Sequence, residues 1–199
     1  MNNIIAFPFN RTAEGRAFEK KVDEYKDWAG ERVNEGKYVP AYCDPENEFK
    51  GEKYKEEGYV DVAEIAKRIR KQINAKKKAG EYPKDLKVSV RISRYSMGQS
   101  IGATITAGLP DGINPEYIKI YNEEIARGET DWEAGRYASR VNYWAPEVAK
   151  IIEEIEDMGN TYRRDNSDAM SDYFDCNFYY NVNVDWQYRD KLAKAAGIK

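Results

Sequence analysis

Apolar residues recur at helical spacing in two stretches of the first eighty residues. The first stretch runs from Thr12 to Glu35, and the Thr12 hydroxyl suits the N-cap position of a helix. The second begins at Asp61, where Glu64 three residues later gives a start similar to a capping box. Its apolar stripe predicts the buried face of a helix that ends at Gly80, and it consists of Val62, Ile65, Ala66, Ile69 and Ile73.

The segment between these helices, from Gly36 to Gly58, has no regular period and is dense in charge, proline and glycine. A structureless loop of this length is unusual inside a compact domain. The sequence therefore predicts a boundary here, with residues 1–58 forming an N-terminal helical extension that ends in a long charged loop. Residues 59–199 then form the main domain.

Strict alternation of apolar and polar residues predicts three strands. The stretches from Leu86 to Ser93 and from Ile101 to Thr106 are joined by Arg94 to Ser100, which we interpret as a hairpin loop because Gly98 can adopt a positive φ. A third strand is predicted from Asn177 to Val184. The first two strands are therefore expected to pair as an antiparallel hairpin.

Helix-start signals recur in the remainder of the chain. Pro115 opens one helix, Thr130 with Glu133 opens a second, and Pro146 opens a third. A short closing helix is predicted from Trp186, directly after the last strand. This order of elements predicts an α+β domain, in which a small antiparallel sheet (the hairpin plus the C-terminal strand) packs with several helices.

Composition excludes several kinds of catalytic and metal site. The sequence has no histidine, which removes Ser-His-Asp and Cys-His catalysis and every histidine metal ligand. Its two cysteines, Cys43 and Cys176, form neither a zinc motif nor a disulfide scaffold, although a single bridge between them stays open. Reduced thiols are typical of the cytoplasm. We predict a protein that is not an enzyme and that takes no cofactor and no metal.

Charge is segregated along the chain. Residues 59–108 carry 11 basic and 4 acidic side chains, a balance typical of segments that bind an anionic partner. Lysine and arginine contact phosphates, and Tyr95 or Tyr179 can stack on an unpaired base. Alternatively, these cations lie against acidic elements of the fold or guard an edge strand. The candidate nucleic-acid-binding residues are Lys67, Lys71, Lys87, Arg91, Arg94 and Tyr95.

The segment from Asp165 to Asp175 has the opposite charge. Its carboxylates are Asp165, Asp168, Asp172 and Asp175. Carboxylate oxygens bind Mg²⁺ or Ca²⁺, but this spacing is not that of an EF-hand, and aspartate and serine also cap turns. We therefore expect a turn before the last strand rather than a metal site. Together with Glu153 and Glu154, these aspartates form a candidate acidic surface for binding a partner.

Three stretches are similar to a known family, and they occur in this order: YVDVAEIAKRIRKQI (Tyr59 to Ile73), VSVRISRYSMGQSI (Val88 to Ile101) and DNSDAMSDYFDCNFYYNV (Asp165 to Val182). They resemble the large polyvalent protein-associated domain, type twenty-nine of that series, over about Tyr59 to Trp186. Such domains accompany giant multidomain proteins of phages and conjugative elements and have no established catalytic residues. The resemblance implies an accessory protein of a mobile element.

Two functions follow as hypotheses. The first is a non-enzymatic counter-defence inhibitor of the anti-CRISPR kind, whose acidic surface covers a nucleic-acid-handling complex of the host stoichiometrically. The alternative is an accessory protein that binds nucleic acid through its basic helix and hairpin. Both hypotheses place the protein in the cytoplasm of a host bacterium with no membrane partner. Exposed tyrosine and tryptophan leave self-association open.

Overall fold

The computed structural model describes residues 48–96, 98–110, 112–167 and 174–198. Contacts divide the chain into two units, residues 1–49 with 164–176 and residues 50–163 with 177–199. The predicted helix from Thr12 to Glu35, Cys43, Asp168 and Asp172 lie outside the described residues. The elements are, in chain order, β1 (Phe49–Lys50), α1 (Glu52–Glu57), α2 (Val62–Ala79), β2 (Lys87–Tyr95), β3 (Gly98–Ala107), α3 (Pro115–Ala126), α4 (Asp131–Ala138), α5 (Pro146–Asn160), β4 (Arg164–Asp165), β5 (Tyr179–Val184) and α6 (Trp186–Ala195).

Helix α2 begins and ends where the sequence predicts. The Ala63 backbone N–H donates to Asp61 Oδ1 at 2.8 Å, which satisfies one of the amides left without a partner at a helix N-terminus. Gly80 closes the helix with a φ of 78°, in the left-handed region that favours glycine. The predicted apolar stripe is buried, with Ile65 and Ile69 fully inaccessible to solvent. Helical spacing alone therefore identified this element and its buried face.

The later helices also follow their capping signals. At the start of α4, Glu133 N–H donates to Thr130 Oγ1 at 3.3 Å, while Thr130 N–H donates to Glu133 Oε2 at 3.1 Å, so the predicted capping box is complete. Asn114 caps α3, and Asp185 caps α6 by accepting from two backbone amides. Local side-chain chemistry sets the boundaries of these three helices.

The second unit contains a three-stranded sheet in the order β2-β3-β5. Strands β2 and β3 form the predicted antiparallel hairpin, in which Val90 pairs with Ala103. Strand β5 joins β3 in parallel, with Val182 beside Ala103, so the sheet is mixed rather than wholly antiparallel. The chain between β3 and β5 includes three helices, which is long enough for the crossover that parallel pairing requires.

The main hydrophobic core lies between this sheet and two helices. Ile65 of α2, Ile155 of α5 and Ile101 of β3 all belong to it and are fully buried. Helix α5 approaches the sheet closely at Gly159, where a Cβ atom would lie 2.2 Å from the Tyr180 ring. Helices and a small sheet thus pack into the predicted α+β fold.

A second core cluster joins α3 and α4. It is built from Tyr117, Tyr121, Ala134 and Ala138, and Leu192 of α6 packs against both clusters. Two tyrosines supply much of this cluster, which agrees with a sequence that is poor in leucine and rich in tyrosine. Within the described part of the chain, no helix has the length and apolar character needed to span a bilayer.

Candidate nucleic-acid interface

Pairing register gives the three-stranded sheet two chemically different faces. Because side chains alternate across a strand, Val90, Ala103 and Val182 form one row on the same face. The neighbouring rows on that face are also apolar and pack against the main core. We call this the covered face, since α2 and α5 pack on it.

The opposite face is polar and is here called the open face. Its residues are Lys87, Ser89, Arg91, Ser93, Tyr95, Gly98, Ser100, Gly102, Thr104, Tyr179, Asn181 and Asn183. None of these residues is aspartate or glutamate, although the chain has 35 acidic residues. The two cations therefore give this face a positive charge that no carboxylate on the same face offsets.

The open face has a shallow centre and two exposed tyrosines at its flanks. Its central strand contributes only the small side chains of Ser100 and Thr104 and none from Gly102, and a Cβ at Gly102 would lie 3.2 Å from Asn181 Oδ1. On the outer strands, Tyr95 is 49% exposed and Tyr179 is 42% exposed. The central strand therefore projects little from the sheet, and the Tyr95 ring and the Asn181 amide lie close to Gly98 and Gly102.

The cations of the open face are not used to hold the fold together. Among the residues that the structure describes, neither Lys87 nor Arg91 forms an ion pair. By contrast, the Arg94 Nη2 atom lies 2.9 Å from Asp61 Oδ2, and Lys67 Nζ lies 3.5 Å from Glu64 Oε2. Lys87 and Arg91 therefore remain available to an anionic ligand.

The structure brings together only part of the predicted basic surface. Lys87, Arg91 and Tyr95 share the open face, whereas Lys67 and Lys71 lie on the exposed side of α2, away from its buried stripe. Because α2 packs on the covered face, its polar side points away from the sheet. Lys67 and Lys71 therefore do not share the open face with Lys87, Arg91 and Tyr95.

Arg94 also falls outside the open face. It follows Arg91 by three positions, so strand alternation places it on the same side of the sheet as Val90 and Ile92, opposite the open face. Its guanidinium contacts Asp61, the residue that caps α2. Arg94 thus links β2 to the N-terminus of α2 through an ion pair.

Several open-face residues were missing from the predicted set. Asn181 and Asn183 are exposed on β5 and belong to the same face as Arg91. The signal for them was present, because Asn177, Tyr179, Asn181 and Asn183 alternate with apolar residues along the predicted third strand. What the sequence did not reveal was that this strand pairs with β3, which places its polar side beside Gly102.

Helix α2 protects the outer edge of β2. Arg70 Nη2 donates to the Val90 carbonyl oxygen at 2.5 Å, and Lys77 Nζ donates to the Leu86 carbonyl oxygen at 2.6 Å. Charged side chains that cover an edge in this way block pairing with another strand. The outer edge of β2 is therefore blocked to pairing with another strand.

The structure describes four of the six candidate acidic residues, namely Asp165, Asp175, Glu153 and Glu154. In the first unit, Asp175 accepts two hydrogen bonds from the Arg164 guanidinium, each at 2.9 Å, and Asp165 accepts one from the Ser167 N–H at 3.0 Å. The second of these contacts agrees with the predicted turn-capping role. No group of three or more possible ligand side chains that could hold a metal ion is present in the described residues.

In the second unit, Glu154 and Glu153 are in different situations. The Lys76 ammonium donates to Glu154 Oε2 at 2.9 Å and lowers the pKa of that carboxyl group. Glu153 is exposed and forms no ion pair with a described residue. Of these two glutamates, Glu153 is the one that a basic partner can reach without breaking an internal contact.

The chain matches no family model, no curated protein and no solved structure. The resemblance to the large polyvalent protein-associated domain therefore stays a prediction that depends on the three quoted stretches. Interpretation of the site depends on its geometry and charge alone.

Proposed function

We propose that the protein binds single-stranded nucleic acid on the open face. The observation that carries this proposal is a polar sheet face without a carboxylate, which carries two exposed tyrosines and two cations that form no ion pair with a described residue. Phosphates would contact Lys87 and Arg91, and unpaired bases would stack on Tyr95 and Tyr179. This is the nucleic-acid hypothesis of the sequence, with Lys87, Arg91, Tyr95 and Tyr179 kept and Lys67, Lys71 and Arg94 left out.

Single strands fit this face better than duplexes do. Bases in a duplex are stacked on each other, so their flat surfaces are not available to tyrosine rings, whereas bases of a single strand can be splayed onto a sheet. The serine, threonine and asparagine side chains of the open face supply donors and acceptors to base edges. Because every base has a π-face, we expect weak sequence preference.

A charge-matched pair of double variants tests the proposal. Fluorescence anisotropy would measure the Kd of a labelled single strand over a range of salt concentrations. We expect Lys87→Ala with Arg91→Ala to weaken binding and to lower the slope of log K against log salt by about 1.4. The control, Lys67→Ala with Lys71→Ala, removes the same charge from the outer side of α2 and should leave the slope nearly unchanged.

Two results would contradict the proposal. One is the absence of single-strand binding by the wild-type chain at low salt. The other is an equal loss of affinity in both double variants, which would mean that net charge, rather than the open face, attracts the strand. Circular dichroism of each variant would establish that the fold is retained.

The counter-defence inhibitor is a second candidate, and the exposed acids of α5 favour it. Glu147, Glu153 and Asp157 are exposed and form no ion pair with described residues. The expectation is that expression of the wild-type chain protects an infecting phage from a nucleic-acid-guided defence of the host. Glu153→Lys with Asp157→Lys should abolish that protection, and plaque counts would measure it. Unchanged plaque counts, together with no stoichiometric host protein on affinity capture, would refute this candidate.

A further inference from the structure

A groove runs from the open face around the edge of β2 toward the C-terminal half of α2. It consists of two adjoining cavities of about 450 Å³ and about 410 Å³, which share the lining residues Asn74 and Lys77. The first cavity is also lined by Lys87 and Ser89 of the open face. We call the two cavities together the lysine groove.

Four lysines and no acidic residue line the lysine groove. They are Lys77, Lys78, Lys84 and Lys87. Lys77 is held by its bond to the Leu86 carbonyl oxygen, while Lys78, Lys84 and Lys87 form no ion pair in the part of the chain that the structure describes. All charged side chains that line the groove are therefore basic, and the apolar Ile73, Leu86 and Val88 lie beside them in the first cavity.

The neighbouring Lys76 differs from the groove lysines, because two carboxylates neutralise its charge. Its ammonium lies 2.9 Å from Glu81 Oε2 and 2.9 Å from Glu154 Oε2, and hydrogen bonds to these carboxylates raise its pKa. Lysines in the last turn of a helix also stabilise its negative end. That role can explain Lys78, but Lys84 and Lys87 follow the helix and need another explanation.

We infer that the lysine groove binds the phosphodiester backbone of the same strand that the open face binds. Lys87 and Ser89 line the groove and also belong to the open face, so a strand leaving the open face at its Lys87 end meets Lys77 next and then Lys78 and Lys84. No tyrosine or tryptophan lines the groove, so its contacts are to phosphates rather than to bases. This inference rests on the proposed function and extends the binding site beyond the sheet.

The length of the strand provides the test. The open face extends over about 27 Å along β2, at about 3.4 Å per residue. A short strand of about six nucleotides should occupy mainly the open face, and one of about sixteen nucleotides should also enter the groove. Anisotropy titrations of both strands would compare the wild-type chain with the Lys78→Ala, Lys84→Ala double variant.

We expect the double variant to bind the short strand within about twofold of wild type. On the long strand it should lose affinity, and its salt slope should fall by about 1.4, because two phosphate contacts disappear. Equal behaviour of variant and wild type on the long strand would overturn the inference, as would an equal loss on both strands. If the wild-type chain binds neither strand, the proposed function falls as well, so the two failures are distinguishable.

Discussion

The two faces of the sheet share one backbone and differ in almost every other respect. On β3, Ile101, Ala103 and Ile105 are fully buried on the covered face, while Ser100 and Thr104 alternate with them and remain partly accessible. The covered face gains its stability from apolar burial, which the open face cannot supply. Alternate residues of one strand therefore separate the side chains that stabilise the fold from those that we propose bind a ligand.

Two arginines of β2, one on each face of the sheet, differ in whether they form an ion pair. Arg91 lies on the open face without an ion pair to any described residue, whereas Arg94, three positions later, pairs with Asp61. The two side chains have the same chemistry and were predicted to act together. Their position on the strand, rather than their residue type, gives them different roles.

The largest expected effect concerns the covered face. Ile101→Ala should lower the free energy of unfolding by about 2–5 kcal/mol, because it leaves a cavity beneath α2 and α5. The neighbouring Ser100→Ala should change it by less than about 0.5 kcal/mol. Urea denaturation of both variants would measure the difference. A similar loss of unfolding free energy in the two variants would contradict the conclusion that the covered face, and not the open face, stabilises the fold.

The next effect concerns the tyrosines of the open face. Tyr95→Ala should weaken single-strand binding by about 1–3 kcal/mol, since a stacked base loses its aromatic partner. Tyr95→Phe keeps the ring and should retain most of the affinity. Anisotropy titration checks both variants. If Tyr95→Phe loses as much affinity as Tyr95→Ala, the hydroxyl group matters and the stacking role is wrong.

A new carboxylate at the centre of the open face should have a somewhat smaller effect. Gly102→Glu is expected to weaken binding about fivefold, because it adds repulsion of roughly 1 kcal/mol for a phosphate at about 4 Å in water. Gly102→Gln has nearly the same shape without the charge and serves as the control. The Cβ atom of either residue would meet Asn181 Oδ1 at 3.2 Å, which is the far end of an exposed side chain. Equal losses would point to steric exclusion instead.

The smallest effect is expected at Arg94. Arg94→Ala removes an exposed ion pair, so the free energy of unfolding should fall by no more than about 1 kcal/mol. Single-strand affinity should stay unchanged, whereas Arg91→Ala should lower the salt slope by about 0.7. Titrations at several salt concentrations would compare the two variants. An equal change of the salt slope in Arg94→Ala would show that Arg94 contacts the strand, which would contradict its exclusion from the binding surface.

Much of the fold could be predicted because its signals are local. The cap at Asp61, the capping box at Thr130 and the alternation along β2 each depend on residues a few positions apart. The candidate site was predictable only in part. Lys87, Arg91 and Tyr95 were identified, but Lys67, Lys71 and Arg94 were grouped with them although they lie elsewhere in the fold.

The amino-acid sequence by itself determined where α2 to α6 begin, which side of α2 and of the sheet strands is apolar, and that the middle of the chain is basic, whereas β2 and β3 extend into the predicted loop from Arg94 to Ser100. Only the tertiary structure decided that β5 pairs in parallel with β3, that α2 covers one face of the sheet, and that Asn181 lies beside Gly102. The physical reason is distance along the chain. Capping and alternation act between neighbours, whereas strand partners and helix docking depend on contacts between segments dozens of residues apart.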